Sequence, residues 1–405
     1  MRVTIGKSVA CGSVYAPPSK SYAHRLLICA ALTGESVTVE GISDSEDMGA
    51  TLDCIRALGA CAVKEGNCVK FSHVHGFLAD GKSFFCRESG STARFFIPIA
   101  LAFGGKMTFY GTERLISRGF SVYEDICKEQ NIRLEYDDRY LTLEGRLHSG
   151  EFKVKGNISS QFISGLMFAL PLLKGDSVIR VTTELESRPY IDITIDALKR
   201  YGIEITEKEN NTFYIKGEQK YKPSDTTVEG DYSNSAFLDA FNILGGDVSV
   251  LGLDPHSHQG DKAYLSMLDA IKNGDPTLDI SACPDLGPII FALAGVSNGA
   301  TVKGTARLKI KESDRCEAMK EELSKLGIDV HVYDNYVRIN APKELKKPRE
   351  VLYGHNDHRI VMALSVISSL VGATIDGAEA VSKSFPDFFN VIGSLGIEVT
   401  YEQAN

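Results

Sequence analysis

Tryptophan is missing from the chain, and no aromatic cluster suited to stacking on bases takes its place, which weighs against a nucleic-acid-binding role. Positive charge is also short: 44 Lys and Arg face 53 Asp and Glu, a formal net charge of -9. A general binder of phosphate backbones needs a basic face, so any anionic ligand here must meet a local cluster of cations. No apolar stretch is long enough to span a bilayer, and the opening MRVTIGKSVACGSV alternates like a strand without the apolar centre of a signal peptide. A cytoplasmic protein with no membrane partner is the expectation. The nine cysteines are scattered, with no CxxC and no Cys/His metal spacing, as expected of reduced thiols serving mostly as small core residues. Low-complexity tracts and long charge runs are absent too, so disorder is not expected.

What is present is length and repetition. At 405 residues the chain exceeds the size at which one hydrophobic core stops growing, so two domains are expected. One pattern occurs six times: an apolar helix opened by small or polar residues, ending near Gly, then a strand that also ends near Gly. The copies are SKSYAHRLLICAALTGESVTVEG (19–41), SGSTARFFIPIALAFGGKMTFYG (89–111), SSQFISGLMFALPLLKGDSVIRV (159–181), DYSNSAFLDAFNILGGDVSVLG (231–252), PDLGPIIFALAGVSNGATVKG (284–304) and NDHRIVMALSVISSLVGATIDG (356–377). Helices apolar nearly all round belong in the middle of a domain. An amphipathic helix follows each, as in DMGATLDCIRALGACAV and CEAMKEELSKLGIDV, and a strand begins after its closing Gly or Asn.

A unit of about 70 residues is longer than a solenoid repeat, so each is a small α/β subdomain. Three units per domain make two similar halves, with a substrate cleft expected between them. The first domain is expected at 19–228, and the second at 1–18 plus 229–405. The chain crosses near KPSDTTVEGD, and its N-terminal strand pairs with the C-terminal half.

Polar residues gather where the buried helices open. Lys20, Ser21 and Arg25 open the first, Ser89, Gly90, Ser91 and Arg94 the second, Ser159, Ser160 and Gln161 the third. Asp285 opens the fifth; Asp357, His358 and Arg359 open the sixth. Helix N-termini present unpaired amides and partial positive charge, which suits phosphates and carboxylates. Ser, Asp and Asn there are ordinarily caps. Capping does not explain Lys20, Arg25 or Arg359, since positive charge at that end opposes the helix dipole. Arg118, Arg188, Lys311, Arg315 and Lys383 stand ahead of amphipathic helices, where an isolated cation is ordinarily a solvated charge.

Taken in order, PPSKSYAHR, ESGSTAR, SSQFISGL, ESRPYIDIT, VEGDYSNSAF, the Pro284-Asp285 pair, KESDR, NDHRIVMAL and KSFPDFF resemble the 5-enolpyruvylshikimate-3-phosphate (EPSP) synthase family of enolpyruvyl transferases along essentially the whole chain. The resemblance implies an α/β (α+β) fold: a two-domain inside-out α/β barrel, each domain three βαβαββ repeats with buried helices and outer sheets. It implies transfer of the enolpyruvyl group of phosphoenolpyruvate to the 5-hydroxyl of shikimate 3-phosphate. By resemblance Lys20 touches both substrates. Ser21, Arg25, Ser159, Ser160, Gln161, Ser187, Asp285 and Lys311 hold shikimate 3-phosphate. Gly90, Arg118, Gln161, Arg315, Arg359 and Lys383 hold phosphoenolpyruvate. Asp285 takes the 5-hydroxyl proton while Glu312 or Lys383 protonates C3, with Lys20 also in the catalytic set; no cofactor or metal is implied, and a monomer is expected. Two anions brought together need dense cationic screening, and planar Arg meets carboxylate and phosphate oxygens at two points.

Three departures from the family pattern touch the phosphoenolpyruvate pocket: Glu88 stands where Asn is common, Ser91-Thr92 where Thr-Ala is commoner, and Gly119-Phe120 follow Arg118 where Pro is usual. Two alternatives remain open. A UDP-N-acetylglucosamine enolpyruvyl transferase would place a reactive Cys just after Arg118, whereas this chain has Gly119-Phe120-Ser121 and carries Cys127 farther on, inside a helix. A non-catalytic anion- or RNA-binding protein on the same repeat would bind without turnover.

Overall fold

In the computed structural model, which describes residues 1–208 and 211–402, the chain forms two compact units, Lys20–Glu229 and Met1–Ser19 with Gly230–Asn405. Each has its own apolar core.

In the unit Lys20–Glu229 the central helices are Lys20–Leu32, Gly90–Phe103 and Ser160–Ala169. Every residue from Tyr22 to Leu32 and from Phe162 to Ala169 is buried, as helices apolar on all faces require. A Cβ on Gly165 would collide with the Arg94 carbonyl oxygen and the Tyr123 hydroxyl, so glycine lets helix Ser160–Ala169 come close to helix Gly90–Phe103. The latter ends at Gly104, whose φ of 78° and N–H bond to Ala100 O (3.0 Å) close the last turn. Leu166, 0% exposed, illustrates the packing: truncation to Ala would cost about 2–5 kcal/mol.

Three sheets cover these helices, all built to one plan. In the second, strand Lys82–Arg87 runs parallel to Gly105–Gly111, which pairs antiparallel with Tyr140–Gly145, and Arg133–Tyr136 lies at the far edge. Alternation sets the faces: Phe84 and Cys86 point inward while Phe85 is exposed. The first sheet is completed by Thr226–Thr227, added parallel to Val37–Glu40.

The unit holding both chain ends repeats the plan around helices Tyr232–Asp239, Gly287–Val296 and His358–Val371. Its N-terminal strand Arg2–Ile5 sits between Ala373–Asp376 and Val399–Glu402, and Cys11–Tyr15 pairs parallel with Asp247–Leu251. The fourth copy is abbreviated. After helix Tyr264–Asn273 only three residues precede strand Thr277–Asp279, which joins the next sheet. No hairpin fits in that length, so strand Asp247–Leu251 pairs with Cys11–Tyr15 alone among the described residues. No helix among the described residues is long and apolar enough to cross a membrane.

Candidate functional site

In the unit Lys20–Glu229 the informative residue is Arg25. It lies in the second turn of helix Lys20–Leu32 and is 2% exposed. Its guanidinium donates to Thr194 Oγ1 (2.8 Å), Ser21 O (2.7 Å), Tyr190 O (3.0 Å) and Ser164 Oγ (3.5 Å), and it stacks over Phe95 at 5.1 Å. These acceptors are all neutral. Burial therefore pulls its pKa down to about 10, because solvation lost by the charge is not replaced by a carboxylate. Lys20, on the same helix, pairs with Asp47 at 3.0 Å.

Helix Gly90–Phe103 opens beside two more guanidinium groups: a Cβ on Gly90 would lie 3.0 Å from the Nη1 atoms of both Arg118 and Arg94. Arg94 donates to Gln161 Oε1 (2.7 Å), and Gln161 Nε2 donates to Ser91 Oγ (2.8 Å), so the openings of helices Gly90–Phe103 and Ser160–Ala169 are tied together. Ser89 and Ser159 accept from the backbone N–H groups of Thr92 and Gln161 and are caps. Ser160 and Ser187 are buried, and Ser187 stands at the start of helix Arg188–Arg200 with φ 53°. Arg188 pairs with Asp192 (2.7 Å) and Glu207 (2.6 Å), the ordinary role of a helix-surface cation. A buried chain of hydroxyls runs from His24 Nδ1 to Thr51 (2.7 Å), Thr92 (2.8 Å) and Ser89 (2.8 Å); burial holds the His24 pKa well below the usual value, helped by Lys20 and Arg25.

The other unit gathers carboxylates and cations around Asp285. Asp285 lies in the turn Pro284–Leu286 that leads into helix Gly287–Val296. Its carboxylate accepts from Arg315 Nη1 (2.9 Å), Lys311 Nζ (3.3 Å) and Arg359 Nη2 (3.5 Å). Arg315, 1% exposed, also holds Asp357 through Nε (2.8 Å) and Nη2 (3.2 Å), and Glu312 through Nη2 (2.9 Å). Burial opposes its charge, but Asp357, Glu312 and Asp285 outweigh that and leave its pKa well above the usual value. Burial lowers the pKa of Lys311, against the pull of Asp285.

Asp357 also caps helix His358–Val371 by accepting from Arg359 N (2.9 Å). Arg359 Nη1 reaches Asn234 Oδ1 (2.9 Å), and its guanidinium lies over Phe237. Lys383, 8% exposed, donates to Asn356 O (2.6 Å). The Asp261 carboxyl is buried; burial and Asp285 push its pKa up to about 7, with Arg359 pulling the other way.

A family model described as "EPSP synthase (3-phosphoshikimate 1-carboxyvinyltransferase)" matches residues 4–392. The chain belongs to the EPSP synthase family. Relatives named 3-phosphoshikimate 1-carboxyvinyltransferase include one from Clostridium kluyveri, 40% identical with 98% of each chain covered, and one from Clostridium perfringens, 42% identical with 97% of this chain and 98% of the relative covered. Among solved structures, EPSP synthase from Acinetobacter baumannii superposes with a TM-score of 0.78 at 19% identity, covering 100% of each chain. The enolpyruvyl transferase NikO from Streptomyces tendae gives 0.79 at 16%, with 100% of this chain and 99% of that one covered. At those identities the superpositions speak for the fold alone, the two-domain α/β arrangement of the EPSP synthase family.

Against this family frame, Asp285, Lys311, Glu312, Arg315 and Arg359 come together in one unit, with Lys383 one residue removed through Asn356. Lys20, Ser21, Arg25, Gly90, Arg118, Ser159, Ser160, Gln161 and Ser187 lie in the other. Asp261 and Asn234 went unnoticed as site residues in the sequence. Their only sequence signal was a run of polar residues, HSHQGD ahead of Tyr264 and YSNS ahead of Ala236, outside any position a helix cap would require.

Proposed function

We infer that the chain is a 3-phosphoshikimate 1-carboxyvinyltransferase. It transfers the enolpyruvyl group of phosphoenolpyruvate to the 5-hydroxyl of shikimate 3-phosphate, releasing phosphate, in aromatic amino acid biosynthesis. The observation that carries the assignment of roles is the setting of Asp285: an acid at a helix opening, facing Lys311, Arg315 and Arg359. Cations around a carboxylate favour its ionised form, the form a base needs.

In this reading Asp285 accepts the 5-hydroxyl proton as that oxygen bonds to C2 of phosphoenolpyruvate, and C3 takes up a proton. Lys383, a cation held by Asn356 O, suits delivery of that proton. Glu312, paired with Arg315 at 2.9 Å, is favoured as carboxylate and suits its removal again. The C2–O bond to phosphate then breaks as C3 gives up a proton, leaving the enolpyruvyl ether. Arg118, Arg315, Arg359, Gly90 and Gln161 serve phosphoenolpyruvate; Arg25, Ser21, Ser159, Ser160, Ser187 and Lys311 serve shikimate 3-phosphate, with Lys20 meeting both. Arg25 supports its role because its acceptors among the described residues are hydroxyls and carbonyls, with no carboxylate. A sugar-nucleotide acceptor finds no support at Cys127: burial and Glu124 push that thiol up to about 12, unsuited to a thiolate. A cytoplasmic enzyme fits nine free thiols.

Phosphate release from phosphoenolpyruvate, measured with shikimate 3-phosphate or UDP-N-acetylglucosamine as acceptor, tests the reading. Release with shikimate 3-phosphate alone supports it. Release only with the sugar nucleotide moves the assignment to the other transferase, and release with neither points to a binding protein.

A further inference from the structure

Helix Arg315–Lys325 grips the segment ahead of helix His358–Val371 at two places. At its first residue, Arg315 holds Asp357. Two turns on, Glu322, 0% exposed in its side chain, accepts from Tyr353 N (2.8 Å) and meets His355 Nε2 at 3.1 Å. At the second grip and just after it, His355 and Asn356 have φ of 49° and 52°, a left-handed conformation that costs an ordinary L-residue roughly 1–2 kcal/mol. The turn this makes presents Asn356 O to Lys383 Nζ at 2.6 Å.

We propose that His355 and Glu322 are positioning residues for the transfer reaction: their contact holds the left-handed turn that seats Lys383. The proposal rests on the reading of Lys383 as a phosphoenolpyruvate and proton-transfer residue. Glu322 is an unusual residue to bury, since a carboxylate out of water needs its oxygens filled. They are filled here by Lys325 (2.8 and 2.9 Å), His355 and the Tyr353 amide. Those bonds lower the Glu322 pKa although burial opposes them, so it is an ionised, fixed anchor. Glu321, Glu322 and His355 also place ligand atoms within 4.8 Å of one another, but Lys325 already lies on both Glu322 oxygens, which argues for anchoring over metal binding.

His355→Gly separates positioning from folding. Glycine takes positive and negative φ about equally readily, so the variant removes the imidazole that holds the turn without adding strain and leaves the turn free to open. With the established substrates, the KM for phosphoenolpyruvate should rise about tenfold while that for shikimate 3-phosphate stays within about twofold, since only the Lys383 side of the site loses its support. The melting temperature should hold, and His355→Gln, whose Nε2 can reach Glu322, should recover most of the loss. An unchanged KM for phosphoenolpyruvate would overturn the proposal. So would equal rises in both KM values with a lower melting temperature, a Gln variant no better than Gly, or a defect seen only when zinc is added, which would reassign the cluster to metal binding. If wild-type protein releases no phosphate with shikimate 3-phosphate, the functional reading fails; an active wild type with an indifferent His355→Gly sinks this inference alone.

Discussion

Arg25 and Arg315 are equally hidden, yet they keep opposite company. Arg25 sits among hydroxyls and carbonyls, and burial drags its pKa down. Arg315 is ringed by Asp285, Glu312 and Asp357, and its pKa stands well above the usual value. A buried cation without a counter-ion is a standing demand for an anion, whereas one already neutralised is a hub that arranges carboxylates. On the roles proposed above, the same residue type at two helix openings is a receptor for an anion in one unit and, in the other, a scaffold that arranges carboxylates as well as serving phosphoenolpyruvate.

The hub can be attacked first at the carboxylate it presents. Asp285→Ala should lower turnover by about 10²- to 10⁴-fold, the usual worth of a general base, while the affinity for shikimate 3-phosphate changes far less. Steady-state kinetics with calorimetric binding checks this; equal losses would make Asp285 a binding residue and weaken the contrast.

Paired methionine substitutions then test the two arginines directly. Arg315→Met leaves three carboxylates crowded together, Asp357 among them fully buried, and should destabilise the protein by about 3–5 kcal/mol in chemical denaturation. Arg25→Met leaves only neutral acceptors and should cost less than about 2 kcal/mol, yet weaken shikimate 3-phosphate binding by roughly 10- to 100-fold. Comparable stability losses for both would erase the distinction between receptor and scaffold.

A smaller effect concerns pH. The Asp261 pKa is raised to about 7 in the folded protein against roughly 3.9 for a free carboxyl. Between those values the folded state holds a proton that the unfolded state has lost, so stability falls as pH rises through this window. Asp261→Asn should flatten that dependence, gaining on wild type at pH 8 and not at pH 4; a constant offset at both would rule out Asp261 as the source. Smallest of all, Cys127→Ser should leave turnover within about twofold, because the thiol is buried and protonated.

The six helices could be read from sequence because their signal is local: an uninterrupted apolar run such as Phe95 to Leu101 or Ile360 to Leu364 leaves no polar face for solvent. The residues at their openings were legible by type. Their distant partners were not. Ser89, Ser159 and Asp357 were expected as caps at helix starts and all three do cap, yet only the fold shows that Asp357 at the same time completes the ring around Arg315. The shortened fourth repeat was hidden because the polar stretch after Leu253 has no period that distinguishes a missing hairpin from a long loop.

The sequence by itself determined the repeat plan, the buried helices and the cations at their openings, all consequences of composition and spacing within one segment. Which cation is neutralised and which is left wanting was decided by tertiary structure alone. Arg315 meets Asp357 across 42 residues, and Arg359 meets Asn234 across 125. Such pairings arise only when separate helices are packed to within hydrogen-bond reach, and at that range a single neighbouring carboxylate outweighs every local preference of the chain.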